Sequence, residues 1–493
     1  MWLNKAELEL IEDNKSNKIM SNAIKTDKMK VAIIGGGLSG LYTAYYCQAA
    51  GAQVTLFEQG SQVSAADSFA HAGLSAVSMA MPWHHTGVFS ALGQVLSGQA
   101  GGLQSKTGLD PSLWAWLGKY LMASTRAKQA ARGEALLAMA VQNQELTGAL
   151  HSEAGLYAEQ GQGILHLFRN AKDFAKVQNN NPKNLQNQWS TLAKAGIAFN
   201  VMDAAQTHAF APQLNAAQAL AGGVWVPHDG FGNTALLAKQ LKVYFSTLGV
   251  KFELNQHVLA IKTNAAQKIQ LSLLDTKSDT KQDTKQDTKD SSTSDAQTAT
   301  HTFDHVVLAT GALSTPLLQQ LSIKLPLAAV RGYSLTMPLA HPEEAPAYAV
   351  VDASTRFTMT PMGQRIRVAG FAQLAPLPKQ NKTSIQSNQH ASISKTSLNA
   401  LADTLLDWYP FAGKRGEATA WQGYRHLSPD GLPILGASPV AGVWLNLAQG
   451  ATAGLLGCAA AHQLAQSIVH GESTHSRLTA PMAAAFSAQR YLG

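Results

Sequence analysis

Val31-Ala32-Ile33-Ile34-Gly35-Gly36-Gly37-Leu38-Ser39-Gly40 carries an apolar, β-branched segment straight into Gly-x-Gly-x-x-Gly. A helix-like stretch follows, Leu41 to Ala50, closed by Gly51, and a second apolar run, Val54-Thr55-Leu56-Phe57, ends at Glu58. Strand, glycine turn, helix, strand and acid in this order are the pattern of a dinucleotide site. Each part has a physical task. Gly35 permits the tight turn off the strand. Gly37 lacks a Cβ, so the backbone can approach a pyrophosphate. Gly40 lets the helix pack closely on the strand. The helix N-terminus points unpaired N–H groups and a partial positive charge at the phosphates. Glu58 accepts from ribose hydroxyls, and an acid here argues for a 2′-hydroxyl over a 2′-phosphate. It does not separate NAD from FAD.

At 493 residues the chain predicts more than one domain. The hydrophobic share of 45% is ordinary for a globular protein, and the net charge of +7 is modest. No stretch interleaves dense Lys/Arg with aromatics, so nucleic acid is not expected as a partner. Cys47 and Cys458 lie far apart with no Cys-x-x-Cys, which argues for a reducing, cytoplasmic setting. Residues 1–28 are polar, with no apolar run or cleavage pattern of a signal segment, and read as a disordered or optional extension. No stretch of about 18 apolar residues occurs. The nearest, Ala451 to Val469, is interrupted by His462 and Gln466.

Two low-complexity tracts read as solvated surface insertions. One, 275–298, repeats Asp-Thr-Lys and is expected to be the loop of an extended hairpin between Ile269–Leu274 and His305–Leu308. The other is 379–397. Helical patterns cover roughly 112–122, 130–150, 234–247 and 398–408. Strand patterns cover 223–226, 251–254, 306–309, 333–337, 365–370 and 443–447. Strands alternate with helices at both ends of the chain, implying a parallel sheet assembled from distant segments. The middle strands 223–226, 333–337 and 365–370 lack intervening helices and suggest a second, antiparallel sheet.

Val306-Val307-Leu308-Ala309-Thr310-Gly311 is a buried strand ending in Thr-Gly, which favours FAD over NAD beside the first motif. Near the C-terminus, Val443-Trp444-Leu445-Asn446-Leu447 leads into Gly450-Ala451-Thr452-Ala453-Gly454 and another helix. This second strand–glycine turn–helix would aim N–H groups at another electron-rich atom. In a flavoenzyme that atom is the pyrimidine edge of the isoalloxazine.

With these segments in hand, the chain resembles the FAD-dependent D-amino acid oxidase superfamily from about residue 30 to 470, and leans within it to the bacterial D-amino acid dehydrogenase small subunit. The likeness rests on 31–40, on Ala65-Ala66-Asp67-Ser68-Phe69-Ala70-His71-Ala72-Gly73, on Val330-Arg331-Gly332-Tyr333-Ser334-Leu335-Thr336, on Arg365 to Gly370, and on Trp421 to Gly457. It implies an α/β, two-domain flavoprotein: a Rossmann-like FAD-binding domain and a substrate domain with a mixed, largely antiparallel sheet. The first is expected from 29–80, 195–260, 300–325 and 415–470, the second from 81–194 and 326–414. The implied cofactor contacts are Gly35, Gly37, Leu38, Ser39, Gly40, Glu58, Ser68, Ala72, Gly73, Val258, Thr310, Gly311, Gly450, Thr452 and Gly454. The implied reaction oxidises an amino acid at Cα, with hydride passing to flavin N5. Hydrolysis gives a 2-oxo acid and ammonia, and the electrons go to a respiratory quinone.

A substrate carboxylate calls for a bidentate cation, and the resemblance places it at Arg425, with Tyr333 a second catalytic candidate at the pocket wall. His71 stands where the superfamily usually has Asn, and Gln449 where it usually has His. Alternatives in the same superfamily are an L-amino acid deaminase, a hydroxyproline or secondary-amine dehydrogenase, and a peroxide-forming oxidase. A non-catalytic FAD-binding subunit is the rival of another class. No metal site is expected, since His84 and His85 are adjacent and point apart. The aromatic stretch 113–122, with Lys119, Arg126 and Lys128 nearby, could rest peripherally on the inner face of the cytoplasmic membrane.

Overall fold

The computed structural model describes residues 28–80, 103–105, 111–123, 126–178, 188–276, 299–375, 393–450, 452–471 and 478–492. The extension read at 1–28 (all but its last residue), His84 and His85, the Asp-Thr-Lys tract beyond Thr276, and the tract 379–397 up to residue 392 lie outside them.

The opening motif builds the middle of a six-stranded sheet. Its order is β18 (Ile434–Ala437), β19 (Val443–Leu447), β12 (His305–Leu308), β1 (Lys30–Ile34), β2 (Gln53–Glu58) and β8 (Lys251–Leu254). Every neighbouring pair is parallel except β18 with β19. A parallel strand covered on both faces has no polar side to alternate with, so β1 reads as a continuous apolar run. Val31 and Ile33 face the helices Leu38–Ala49 and Ala453–His470, in a core with Leu41, Cys47, Cys458 and Leu464. Ala32 and Ile34 face the other way, toward Phe57, Val306, Leu308, Ile269 and Leu271. The last two belong to a three-stranded antiparallel sheet of β9 (Gln256–Thr263), β10 (Ile269–Asp275) and β11 (Ala299–Phe303).

The second large sheet has ten strands. Its main path runs β17 (Thr419–Leu427), β13 (Ala328–Pro338), β16 (Arg365–Ala375), β15 (Phe357–Met362), β14 (Ala349–Asp352), β5 (Gly161–Phe168), β7 (Gly222–Phe231) and β3 (Leu74–Ser75). Off this path, β4 (Leu103–Ser105) pairs with β16 and β6 (Asn200–Asp203) with β7. Most pairings are antiparallel. One face packs Leu167, Leu335, Phe357, Met359 and Val368 against Leu401, Leu405 and Trp408 of the helix Lys395–Trp408.

Three sequence expectations need correction. The hairpin closing over the Asp-Thr-Lys tract pairs β10 with β11, not with β12. β11 reads Ala-Thr-His-Thr-Phe, too polar to announce a strand, whereas the apolar β12 belongs to the parallel sheet. Segments 195–260 and 415–470, expected wholly with the nucleotide-binding domain, send β6, β7 and β17 into the ten-stranded sheet. Periodicity identifies a strand but not its sheet. The tract read at 379–397 ends as helix: Ser394 caps it by accepting the Ser397 N–H, and the helix starts at Lys395.

The C-terminal residues lock onto the β18 edge of the six-stranded sheet and the segment leading into it. Arg490 donates from Nε to Asp430 Oδ2 at 2.8 Å and from Nη2 to the Leu432 and Pro433 carbonyls at 3.0 Å. Burial raises the Asp430 carboxyl, but Arg490 outweighs it, with help from Tyr491 and Ser428, and holds it below the ordinary range. Its stabilising contribution is therefore present above about pH 4 and lost on acidification. Arg490→Ala leaves a buried carboxylate unpaired. It should cost about 3–5 kcal/mol in denaturant unfolding at pH 7, with a smaller loss near pH 3.

Candidate active site

Both sheets contribute to one cavity of about 1130 Å³. That exceeds the roughly 300–1,000 Å³ usual for one small molecule, so it can hold a cofactor and a second ligand together.

At the end nearest the opening motif three backbones converge. Gly35 has φ +111°, and a Cβ there would lie 2.5 Å from the Ala309 carbonyl oxygen at the end of β12. A Cβ on Gly40 would lie 1.9 Å from the Gly35 carbonyl oxygen, so the helix Leu38–Ala49 can sit this close to β1 only with glycine there. No side chain caps that helix, which leaves its first N–H groups for a ligand. Glu58 accepts from the Gly36 N–H at 2.6 Å and the Gly60 N–H at 2.8 Å. Burial raises its pKa, and the N–H groups of Gly60, Gly36 and Gln59 pull it back. A carboxylate oxygen has two lone pairs, so acceptor capacity remains for hydroxyls.

The second glycine turn closes another side. Ala448 and Gly450 both take positive φ, and the helix Ala453–His470 again starts without a side-chain cap. Asn446 Nδ2 donates to Thr43 Oγ1 at 3.0 Å, tying β19 to the first helix, and Gln449 Nε2 donates to Asn446 Oδ1 at 2.7 Å. Among the described residues, Gln449 Oε1, Thr310 Oγ1 and His426 Nε2 are buried without a partner, and all three residues line the cavity. Buried polar atoms are rarely left unpaired. Three of them around one cavity, with two uncapped helix starts, fit a long ligand with a diphosphate in its middle and hydrogen-bonding groups at both ends.

Between these regions lies Arg425, on β17 beside Val330 of β13. Its guanidinium covers Gly332, where a Cβ would sit 2.8 Å from Nη2. No hydrogen bond or salt bridge joins this guanidinium to any described residue. Burial lowers its pKa and Asp67 opposes the shift; an arginine remains charged regardless. Burial pushes the Asp67 carboxyl up to about 6, while the Tyr424 N–H, donating at 2.8 Å, and Arg425 pull it down. His71 Nδ1 accepts the Gly73 N–H at 3.0 Å, so its proton sits on Nε2. Burial, then Arg425, then Arg367 drive the His71 pKa down to about 3. Arg367 is itself buried and donates to Thr336 Oγ1 and to the His71 carbonyl. The centre of the cavity therefore offers cationic and N–H donors, with the Asp67 carboxyl as the counter-charge beside Arg425.

The cavity wall includes Gly35, Gly37, Leu38, Ser39 and Glu58 of the first motif, Ser68 and Ala72 of the next block, and Val258, Thr310 and Gly311. Gly450, Thr452, Gly454 and Arg425 complete the predicted set. Gly40 and Gly73 stand behind this wall and shape it: a Cβ on Gly73 would meet the Gly232 carbonyl oxygen at 2.2 Å. Tyr333 does not line the cavity. It is buried in the sheet and its hydroxyl donates to Gln373 Oε1 at 2.8 Å, so its polar end is already used. Sequence reasoning missed Asp67 and His426, although both lie inside quoted blocks. It also missed Trp116, whose indole N–H donates to the Leu427 carbonyl at 3.1 Å. Asp67 and Trp116 come to the neighbourhood of Arg425 only in the folded chain, from a loop and from the helix Pro111–Ala123.

Residues 30–467 match the model of a family described as DAO, FAD dependent oxidoreductase. The chain is 30% identical over 461 residues to a D-amino acid dehydrogenase of Vibrio cholerae, covering 91% of this chain and 97% of the relative. It is 27% identical to D-amino acid dehydrogenase 1 of Mesorhizobium japonicum, covering 89% and 95%. In fold it is similar to glycine oxidase from Geobacillus kaustophilus, with a TM-score of 0.62 and 18% identity over 94% of this chain and all of that one. It is equally similar to an L-amino acid deaminase from Proteus myxofaciens, with a TM-score of 0.62 and 14% identity over 95% of each chain.

His71 yields a test. Its folded pKa near 3 lies below the ordinary 6.5, so unfolding takes up a proton between these values. The stabilisation is fully present above about pH 6.5 and lost as pH falls toward 3. The stability of His71→Asn should therefore decline less steeply than the wild type between pH 6.5 and 4, as measured by urea unfolding at fixed FAD concentration.

Proposed function

The chain belongs to the DAO family of FAD-dependent oxidoreductases, and on that premise we propose that it oxidises D-amino acids to 2-oxo acids and ammonia and passes the electrons to a quinone-type acceptor. The observation carrying this reading is the guanidinium of Arg425 in the cavity, which no described residue engages by a hydrogen bond or salt bridge. A planar cation held there suits a carboxylate, which it can grip with two parallel hydrogen bonds. Orientation toward D-amino acids is supported by the relatives named D-amino acid dehydrogenase at 27–30% identity.

The proposed cofactor contacts divide by chemistry. The N–H groups at the start of the helix Leu38–Ala49 would hold the diphosphate, Glu58 the ribose, and the turn at 450–454 with Gln449 the hydrogen-bonding edge of the ring. Bound FAD supplies the two-electron acceptor. The protein's part is to position. Arg425 fixes the carboxylate, and Gly332 leaves room for its guanidinium. Asp67 holds the β17 backbone beside it through the Tyr424 N–H. His71 keeps its proton on Nε2 and stays neutral through the working pH range, so it donates a hydrogen bond and does not act as a base. Such positioning can account for several powers of ten in rate.

The acceptor is proposed from the helix Pro111–Ala123. Trp116 and Tyr120 of this helix line the cavity, while Trp114 and Met122 are exposed, 51% and 74%, beside exposed Lys119. One face meets the reaction chamber and the other offers an apolar, basic surface to a membrane that carries quinone. Among the described residues no helix is long and apolar enough to cross a membrane, so the contact would be peripheral.

Anaerobic addition of amino acids to the holoenzyme tests the reading. D-isomers, D-alanine among them, should bleach the flavin, and a quinone analogue should restore its colour faster than oxygen does. Bleaching by L-isomers or secondary amines alone would move the protein to the L-deaminase or secondary-amine branch, and no bleaching at all would leave a cofactor-binding subunit. Arg425→Ala should weaken substrate binding at least tenfold, since a hydrogen bond to a charged group contributes about 1.5–3 kcal/mol. Unchanged affinity would remove Arg425 from the carboxylate site.

A further inference from the structure

A second arginine faces the same cavity. Arg356 lines it from the turn that joins β14 to β15, and no described residue forms a hydrogen bond or salt bridge with its guanidinium. We infer that Arg356 is the group that binds a second, side-chain carboxylate, so that this enzyme takes acidic D-amino acids such as D-glutamate or D-aspartate between Arg425 and Arg356. The inference rests on the proposed role of Arg425 at the α-carboxylate.

Sheet register sets the spacing. Thr358 pairs with Ala369 at the end of the β15–β16 ladder, and Arg356 stands two residues before that rung, in the turn that leads into β15. β16 lies next to β13, and Gly332 of β13 underlies the Arg425 guanidinium. The Arg425 guanidinium over β13 and the start of β15 are thus two strand spacings apart, roughly 10 Å, and the Arg356 side chain can span part of that gap. Phe371 lies between them, lines the cavity, and is wedged by Tyr333 and Phe357 at ring distances of 5.6 and 4.8 Å. It offers an apolar floor for the methylenes of a short dicarboxylate.

The turn is built to present this residue. Asp352 is fully buried, and its Oδ1 accepts the N–H groups of Ser354 at 2.8 Å and Thr355 at 3.1 Å. Its carbonyl accepts the Arg356 N–H at 2.7 Å. Oδ2 takes Arg169 Nε at 2.7 Å and the Trp408 indole N–H at 2.9 Å. Arg356 adopts φ +58°, a region costly for any residue with a Cβ. The surrounding charge agrees. Lys172, Asp173 and Lys176 also line this part of the cavity, and Asp173 is engaged by Lys176 Nζ at 2.6 Å and Asn170 Nδ2 at 2.8 Å. Burial lowers the Arg356 pKa, and the Tyr120 phenol of the helix Pro111–Ala123 and then the Asp173 carboxylate oppose the shift.

The test uses holoenzyme, wild type, R356Q and R356K, matched for flavin content. Flavin absorbance changes give dissociation constants for unreactive glutarate and butyrate, and steady-state assays give kcat/KM for D-glutamate and D-alanine. Wild type should bind glutarate at least tenfold tighter than butyrate. R356Q should lose that advantage and lower the D-glutamate to D-alanine ratio of kcat/KM at least tenfold, with R356K in between. Equal glutarate and butyrate affinities in wild type would overturn the inference. So would an equal loss for all ligands in R356Q that disappears in high salt, which is the signature of steering at the mouth. If no D-amino acid reduces the flavin yet glutarate binding still depends on Arg356, the proposed reaction fails and the second anion site stands. If D-alanine is oxidised but glutarate has no advantage, only the second site fails.

Discussion

The fold turns on a place where no side chain fits. At the end of β1 the Gly35 carbonyl meets Gly40 of the first helix, while Gly35 itself meets the Ala309 carbonyl at the end of β12. Removing two Cβ atoms lets a helix start, a strand end and a returning strand converge. The consequence reaches the whole molecule. β12 arrives from more than 270 residues later in the chain, and once it lies against β1, β19 lies against β12 and the second glycine turn is carried to the same side. The cavity is the space these three strand ends leave in front of two uncapped helix starts. Parallel pairs formed across such separations require long loops to close before contacts reward them. Apolar runs such as Val31–Ile34 and Val306–Leu308 supply the burial that offsets this.

Charge at the middle of that space follows a different logic. Burial first, and then Arg425 and Arg367, hold His71 neutral, and Asp67 is the only carboxylate among the described residues that acts on the Arg425 guanidinium. Burial raises Asp67 to about 6, so its carboxylate is charged at neutral pH and loses that charge on mild acidification. Keeping a cation partly desolvated without a partner is unfavourable. It becomes favourable when a carboxylate enters, and the unmet guanidinium is then a source of binding energy. Neutral His71 adds a donor without adding a base, which suits chemistry in which the protein orients the substrate and the cofactor takes the electrons.

Much of this was legible in the chain. The first motif, the Thr-Gly strand end and the second glycine turn each carry a local pattern, because a turn with positive φ or a helix start demands particular residues at fixed offsets. The helix at 234–247 and the strands at 251–254 and 443–447 fall where periodicity sets them, and the helix expected at 398–408 ends there but starts at Lys395. What could not be read is anything decided by pairing. Tyr333 and Arg425 lie on adjacent strands, β13 and β17. Only the register shows that the arginine reaches over Gly332 into the cavity while the tyrosine points to Gln373. β11 escaped because its residues are polar on an exposed edge. Arg356 has no motif around it, since its position is set by Asp352, Arg169 and Trp408, which are far apart in sequence.

That last network separates two tasks within one cavity. Most of the groups proposed to meet the cofactor stand at the ends of β1, β2 and β12 of the parallel sheet and at the two helix starts beside it. The turn at 352–356 is held from the opposite side, by Arg169 after β5 and by Trp408 at the end of the helix Lys395–Trp408, with the Arg169 guanidinium 4.5 Å above the Trp408 ring. Among the described residues no hydrogen bond links this turn to the glycine motif. Sites without shared partners act nearly independently when altered. The end of the cavity that reads the substrate side chain can therefore change without disturbing the end that holds the nucleotide. Arg425 is the one element they have in common, carried on the ten-stranded sheet yet flanked by Asp67 and His71 from the loop that follows the first nucleotide-binding motif.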